Sequence, residues 1–215
     1  KVGPLPLSIG IGWGVIIYSA RLFSDASNLP LTARPLLDAL LALNIDLSMD
    51  AIAIRTGMWD WGQGLEFQYF GVPYANFWAW FWVVFSFSMA LRLLVQMPGW
   101  SGRWLAPLGA ILLGTLCVLG TNALIVYVLQ PAGLYEASNA VVLFGALAML
   151  LALKPRFNLT PVDRLAFWVP FSFHLIFLGI GLDSRAILQP PILLIVSLVM
   201  FMVSLGTHWK SIKPC

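Results

Sequence analysis

Three carboxylates lie within one apolar stretch of the chain, residues 34–58, and they are Asp38, Asp46 and Asp50. Charged side chains at membrane depth are costly, and they usually mark a functional site. At 100° per residue, Asp46 and Asp50 are separated by about 40° around a helix, and Asp38 lies about 80° before Asp46. All three therefore share one helical face, which must point into the protein interior or into a water-filled cavity.

This spacing suggests acid–base chemistry in an apolar environment. Two neighbouring acids in a poorly solvated site do not both ionise readily, so one of them is expected to hold a proton at neutral pH. We therefore predict that Asp46 and Asp50 are catalytic. The structural alternative is ion pairing, because Asp38 lies four residues after Arg34 and Asp50 lies five residues before Arg55.

A segment rich in glycine and aromatic residues follows these acids, and it supplies further candidates. Its Trp residues could instead anchor the protein at the membrane interface, and Asn76 could serve only as hydrogen-bonding glue between helices. His174 lies in the middle of a later apolar stretch, where it could be structural, a proton relay or a pigment ligand. The candidate site residues besides Asp46 and Asp50, for binding whatever substrate the site takes, are Asp38, Trp59, Trp61, Tyr69, Asn76, Trp80 and His174.

The composition requires that membrane-spanning helices position these residues. Of the 215 residues, 60% are hydrophobic and only 10% are charged, whereas a soluble domain carries roughly 25% charged residues. We predict an all-α polytopic bundle that forms a single integral-membrane domain over residues 1–215. With about 20 apolar residues needed for each span, seven spans are predicted, at about 5–23, 34–58, 74–96, 104–129, 137–153, 163–182 and 187–206.

The distribution of basic residues predicts the orientation of these spans. Nine Lys and Arg residues fall on one side of the predicted bundle and three on the other. By the positive-inside rule, the N-terminus lies outside and the C-terminus lies in the cytoplasm. The end of the second span that carries Asp46 and Asp50 then lies toward the non-cytoplasmic side.

Several classes of function are excluded by what the sequence lacks. The basic residues are spread singly between spans, so no nucleic-acid partner is predicted. No phosphate-binding loop, dinucleotide-binding motif or nucleophile elbow is present, and no His or Cys spacing suits a metal. These absences remove most of the chemistries of soluble enzymes, and no metal site is predicted.

The segment from residue 34 to residue 82 resembles the carotenoid biosynthesis integral-membrane family, which includes bacterial carotenoid 1,2-hydratases and archaeal bacterioruberin hydratases. The residues that carry the resemblance are Asp46-x-x-x-Asp50, Gly57-Met58-Trp59-Asp60-Trp61, Tyr69-Phe70-Gly71-Val72-Pro73, Asn76, Phe77 and Trp80. The sequence departs from the family pattern at Ala51, Tyr74, Ala75 and Ala79.

The resemblance implies addition of water across a terminal double bond of a linear or monocyclic carotenoid. Such a reaction needs a strong acid, aromatic faces beside a tertiary carbocation, a bound water and an apolar tunnel. The reaction needs no cofactor. The expected partners are a carotenoid or another apolar polyene, and membrane lipid, and the expected location is the inner (cytoplasmic) membrane of a bacterium.

Two other functions are left open by the sequence. A non-catalytic subunit on the same scaffold could bind carotenoid or another pigment within a photosynthetic pigment–protein complex. A small proton-coupled transporter is the third hypothesis, and the lack of internal repeats counts against it.

Overall fold

The computed structural model describes residues 7–60, 68–157 and 159–212. This part of the chain contains seven α-helices and one short β-hairpin, which confirms the all-α prediction. The helices are α1 (Leu7–Asp25), α2 (Arg34–Arg55), α3 (Tyr74–Leu94), α4 (Ala106–Leu124), α5 (Tyr135–Ala152), α6 (Leu165–Asp183) and α7 (Pro191–His208). One π-helical turn, Ser101–Leu105, leads into α4, and another, Ile125–Leu129, extends it.

The central helix of the bundle is α2, which packs against α1, α3, α5, α6 and α7. It begins with Pro35 in its first turn, where a missing backbone N–H leaves no hydrogen bond unmade. It ends at Arg55. Gly57, just after the capping residue Thr56, has a φ of 72°, the left-handed conformation that favours glycine. There the Met58 N–H donates to the carbonyl of Ala53, as in a Schellman motif. This geometry ends α2 one turn after Asp50.

The outer helices expose apolar side chains, as a lipid-facing surface requires. Leu108, Val141 and Met202 are each more than 60% exposed. Five helical segments are long and apolar enough to cross a membrane, which identifies an integral membrane protein; they are Tyr74–Leu94, Ser101–Leu129, Tyr135–Ala152, Leu165–Asp183 and Pro191–Ser211. The seven predicted spans correspond to the seven helices within a few residues, whereas the number of spans and their orientation remain predictions.

A two-stranded antiparallel hairpin precedes α3. Strand β1 (Gln68–Tyr69) pairs with β2 (Val72–Pro73), with Tyr69 opposite Val72. Both residues of the connecting turn have positive φ, 52° at Phe70 and 99° at Gly71, which is the pattern of a type I′ turn. Because β2 contacts both α2 and α3, the hairpin fixes Tyr69 where these two helices meet.

A buried ion network joins α1, α2 and α3 at the opposite end of α2. The Arg92 guanidinium donates to Asp38 at 2.5 Å, to Asp25 at 3.1 Å and to the hydroxyl of Ser24 at 2.7 Å. Arg92 and the Asp38 carboxyl are at most 2% exposed. Ser88 donates to the same carboxyl, so charge and hydrogen bonds together compensate for its burial.

The ion pairs expected from sequence spacing are not formed among the described residues. Arg34 contacts Asp25 instead of Asp38, because Asp38 points toward α3 and its arginine. Arg55 donates to the carbonyl of Gln189, between α6 and α7, instead of pairing with Asp50. Spacing along one helix therefore identified neither the partner of Asp38 nor a partner for Asp50.

We predict that Arg92→Leu lowers the free energy of unfolding by about 3–5 kcal/mol, because it leaves the Asp38 carboxylate buried without a counter-charge. Reversible unfolding in detergent micelles measures this change. The matched control is Arg103→Leu, since Arg103 is exposed and its loss should cost much less.

The double variant Asp38→Leu/Arg92→Leu should be more stable than Arg92→Leu alone. If the double variant is no better, the uncompensated charge of Asp38 is not the cause of the loss.

Candidate functional site

The second and third acids of α2 form a pair that is bridged by an asparagine of α3. The Asn76 amide nitrogen donates to Asp50 Oδ2 at 2.7 Å and to Asp46 Oδ2 at 3.2 Å. All three residues are buried. Two buried carboxyls that share one amide donor do not both ionise readily, so the pair is suited to hold a proton.

The hairpin places a phenol beside this pair. The Tyr69 ring packs edge-on against Phe70 and Phe77, with ring centroids 4.5 and 5.4 Å apart. Burial raises the pKa of the Tyr69 phenol above its ordinary value, and the charge of Asp46 raises that pKa further. Tyr69 is therefore a neutral O–H donor at neutral pH.

Three buried polar atoms around this end of α2 have no hydrogen-bond partner in the part of the chain that the structure describes. They are Asp46 Oδ1, the Tyr69 hydroxyl and Trp59 Nε1. Buried polar groups normally have partners, so these atoms mark a place suited to a polar ligand group.

Aromatic rings cover the apolar side of the site. Trp80 lies one helical turn after Asn76 on the same face of α3. Its ring stacks on Trp13 of α1, with centroids 3.4 Å apart and an interplanar angle of 12°. Phe77 and Phe81 belong to the same buried cluster. Trp80 therefore lies on the same face of α3 as the asparagine that bridges the acids, and the faces of such electron-rich rings can stabilise a positive charge.

Two contributors to this region were not identified from the sequence. Trp13 is a lone tryptophan in the first apolar stretch, with no local signal of its role. Tyr135 begins α5, and its hydroxyl accepts a 2.7 Å hydrogen bond from the backbone N–H of Ala75. This bond fixes the start of α3, and hence Asn76, against α5.

The other predicted site residues lie elsewhere. Asp38 lies in the ion network with Arg92, at the opposite end of α2. Trp61 lies outside the described residues. His174 is buried on α6, where its Nε2 donates to Asn44 at 3.0 Å and its Nδ1 lies 3.2 Å from the hydroxyl of Ser48.

The histidine contacts belong to a different face of α2 from the acids. Asn44 and Ser48 are each offset by two residues from Asp46 and Asp50, about 200° around the helix. Asn44 also donates to the carbonyl of Met200 on α7. The sequence therefore grouped residues that the fold separates into a carboxyl site beside α3 and a histidine contact beside α6.

These features define a polytopic all-α membrane protein with a buried carboxyl pair. The neighbouring cluster of Trp13, Phe77, Trp80 and Phe81 is its aromatic wall. The model of the carotenoid biosynthesis protein family matches residues 1–147, and the chain belongs to that family. Its role is in carotenoid biosynthesis, and its apolar helices fit interaction with carotenoid and lipid. Comparisons with curated proteins and with solved structures return no match.

The matched region includes both carboxyls, Asn76 and Tyr69, and it ends before α6. The family resemblance therefore covers the carboxyl site and excludes His174.

We predict that Asn76→Leu lowers the free energy of unfolding by about 1–3 kcal/mol, because both carboxyls lose their shared donor. Unfolding in micelles measures the difference. Asn122→Leu is the matched control, since Asn122 is half-buried on α4, away from the acids. Equal losses in the two variants would contradict the bridging role of Asn76.

Proposed function

We propose that this protein is a carotenoid hydratase, which adds water across the terminal double bond of an acyclic carotenoid end group. The observation that carries the proposal is the carboxyl pair of Asp46 and Asp50, bridged by Asn76 and covered by aromatic rings. Family membership supports a carotenoid as the substrate class.

The carboxyl pair supplies the proton for the first step. One carboxylic acid of the pair protonates the less substituted carbon of the isopropylidene double bond. The π electrons of that double bond form the new C–H bond. The positive charge is left on the tertiary carbon, and the donor becomes a carboxylate. A neutral acid in an apolar site is well suited to this step, since water does not compete for the proton.

The aromatic wall and the same pair complete the reaction. The faces of Trp80 and Trp13, together with Trp59, supply electron density near the tertiary cation. A water oxygen then bonds to that carbon, and a proton of the water passes to the carboxylate of the pair. The pair regains its one proton, so the reaction consumes water alone and needs no redox step.

A non-catalytic carotenoid-binding subunit is the competing hypothesis. Its simplest form uses His174 as a pigment ligand, but both ring nitrogens of His174 already contact Ser48 and Asn44. The hydratase proposal uses the buried acids, for which a purely binding role offers no purpose. We also propose the inner membrane of a bacterium as the location.

We predict that a bacterial host accumulating lycopene converts it, when it expresses this protein, to a product heavier by one water. Asp46→Asn and Asp50→Asn should each lower conversion about 100-fold or more, because each removes half of the acid–base pair. Liquid chromatography with mass spectrometry measures substrate and product.

The matched control is Asp183→Asn, since Asp183 is exposed at the end of α6 and its loss should leave conversion unchanged. Full conversion by both active-site variants would overturn the acid–base assignment. Purified protein that retains lycopene without converting it would favour the binding subunit instead.

A further inference from the structure

We propose that the hydroxyl of Tyr69 and Oδ1 of Asp46 together bind the water that captures the carbocation. The inference rests on the proposed hydratase function and assigns a part of that site. Tyr69 then acts through its hydroxyl, in addition to presenting an aromatic face.

The first argument is the set of atoms left without partners. Asp46 Oδ2 accepts from Asn76, whereas Asp46 Oδ1 and the Tyr69 hydroxyl are buried with no partner among residues 7–60, 68–157 and 159–212. One atom is an acceptor and the other is a donor. A single water, which both accepts and donates, satisfies the two together.

The second argument is the way the hairpin holds the phenol. The Tyr69 ring is fixed edge-on by Phe70 and Phe77, and Phe77 directly follows Asn76 on α3. Strand β2 contacts both α2 and α3, so the hairpin cannot move without disturbing both helices. A Cβ at Gly71 would lie 3.3 Å from the Ile54 side chain, which shows how closely the turn approaches α2. The phenol is therefore preorganised beside the acids.

This water position assigns roles within the carboxyl pair. Asp46 Oδ1 accepts a proton of the water as the new C–O bond forms, so Asp46 is the base and Asp50 gives the proton to the alkene. The proton then returns from Asp46 to Asp50, whose carboxyls lie close enough to share the Asn76 amide donor. Atoms and charge balance, and the net change is the addition of one water.

The assignment predicts that removing the Tyr69 hydroxyl slows the capture of water, whereas protonation of the alkene continues. Tyr69→Phe keeps the ring that packs on Phe70 and Phe77, and it keeps both carboxyls. In membranes incubated with lycopene in D₂O, alcohol formation should fall roughly ten- to a hundredfold, the usual effect of losing one preorganised donor. Deuterium should still enter the unhydrated carotenoid and its double-bond isomers, because Asp50 still protonates the alkene.

The controls distinguish this role from a structural one. Tyr127→Phe makes the same change on a side chain that is 78% exposed, and it should behave as wild type. The amount of each variant protein in the membrane and the midpoint of its unfolding transition are measured.

Each contrary result has a distinct meaning. If alcohol formation and deuterium incorporation fall equally in Tyr69→Phe, Tyr69 has a purely structural role and this inference is overturned. Unchanged alcohol formation in Tyr69→Phe would also overturn it while leaving the hydratase proposal intact. If wild-type protein gives neither alcohol nor deuterium label, the proposed function itself fails, and this inference fails with it.

Discussion

The burial of three carboxyl groups on one helix is the constraint on which the rest of the structure depends. An isolated carboxylate in an apolar bundle is strongly destabilising, so each acid of α2 needs a compensating group. Asp38 is compensated by a buried arginine, Arg92, supported by serine hydroxyls. Asp46 and Asp50 share an amide donor, Asn76. The same chemical group is thus stabilised by charge at one end of α2 and by a neutral hydrogen-bond donor at the other.

These two arrangements give the two ends of α2 different electrostatic environments. The arginine network neutralises Asp38 and joins α1, α2 and α3 into one rigid unit. The carboxyl pair lacks a cation among its described contacts, so it can hold a proton that a substrate could take. Helix α3 supplies both compensating residues, Arg92 and Asn76, near its two ends. The packing of α2 on α3 therefore sets the environment of all three acids at once.

The remaining elements hold this helix pair in place and cover it. The β-hairpin lies over the ends of α2 and α3 and presents Tyr69 to the acids. Helix α5 holds the start of α3 through Tyr135. Helices α6 and α7 hold the opposite face of α2 through His174 and Asn44. The outer faces of α4 to α7 are apolar and suit lipid, so the polar groups are concentrated around α2.

The sequence by itself determined the helices, the shared face of the acids and the aromatic segment after them. Hydropathy and helical periodicity are local properties, so they can be read from neighbouring residues. Only the tertiary structure decided the partners: Arg92 for Asp38, Trp13 for Trp80, and the contacts of His174 on a different face of α2. These contacts join residues far apart in the chain. They depend on which helices pack together and at what rotation, and spacing within one helix carries no information on either.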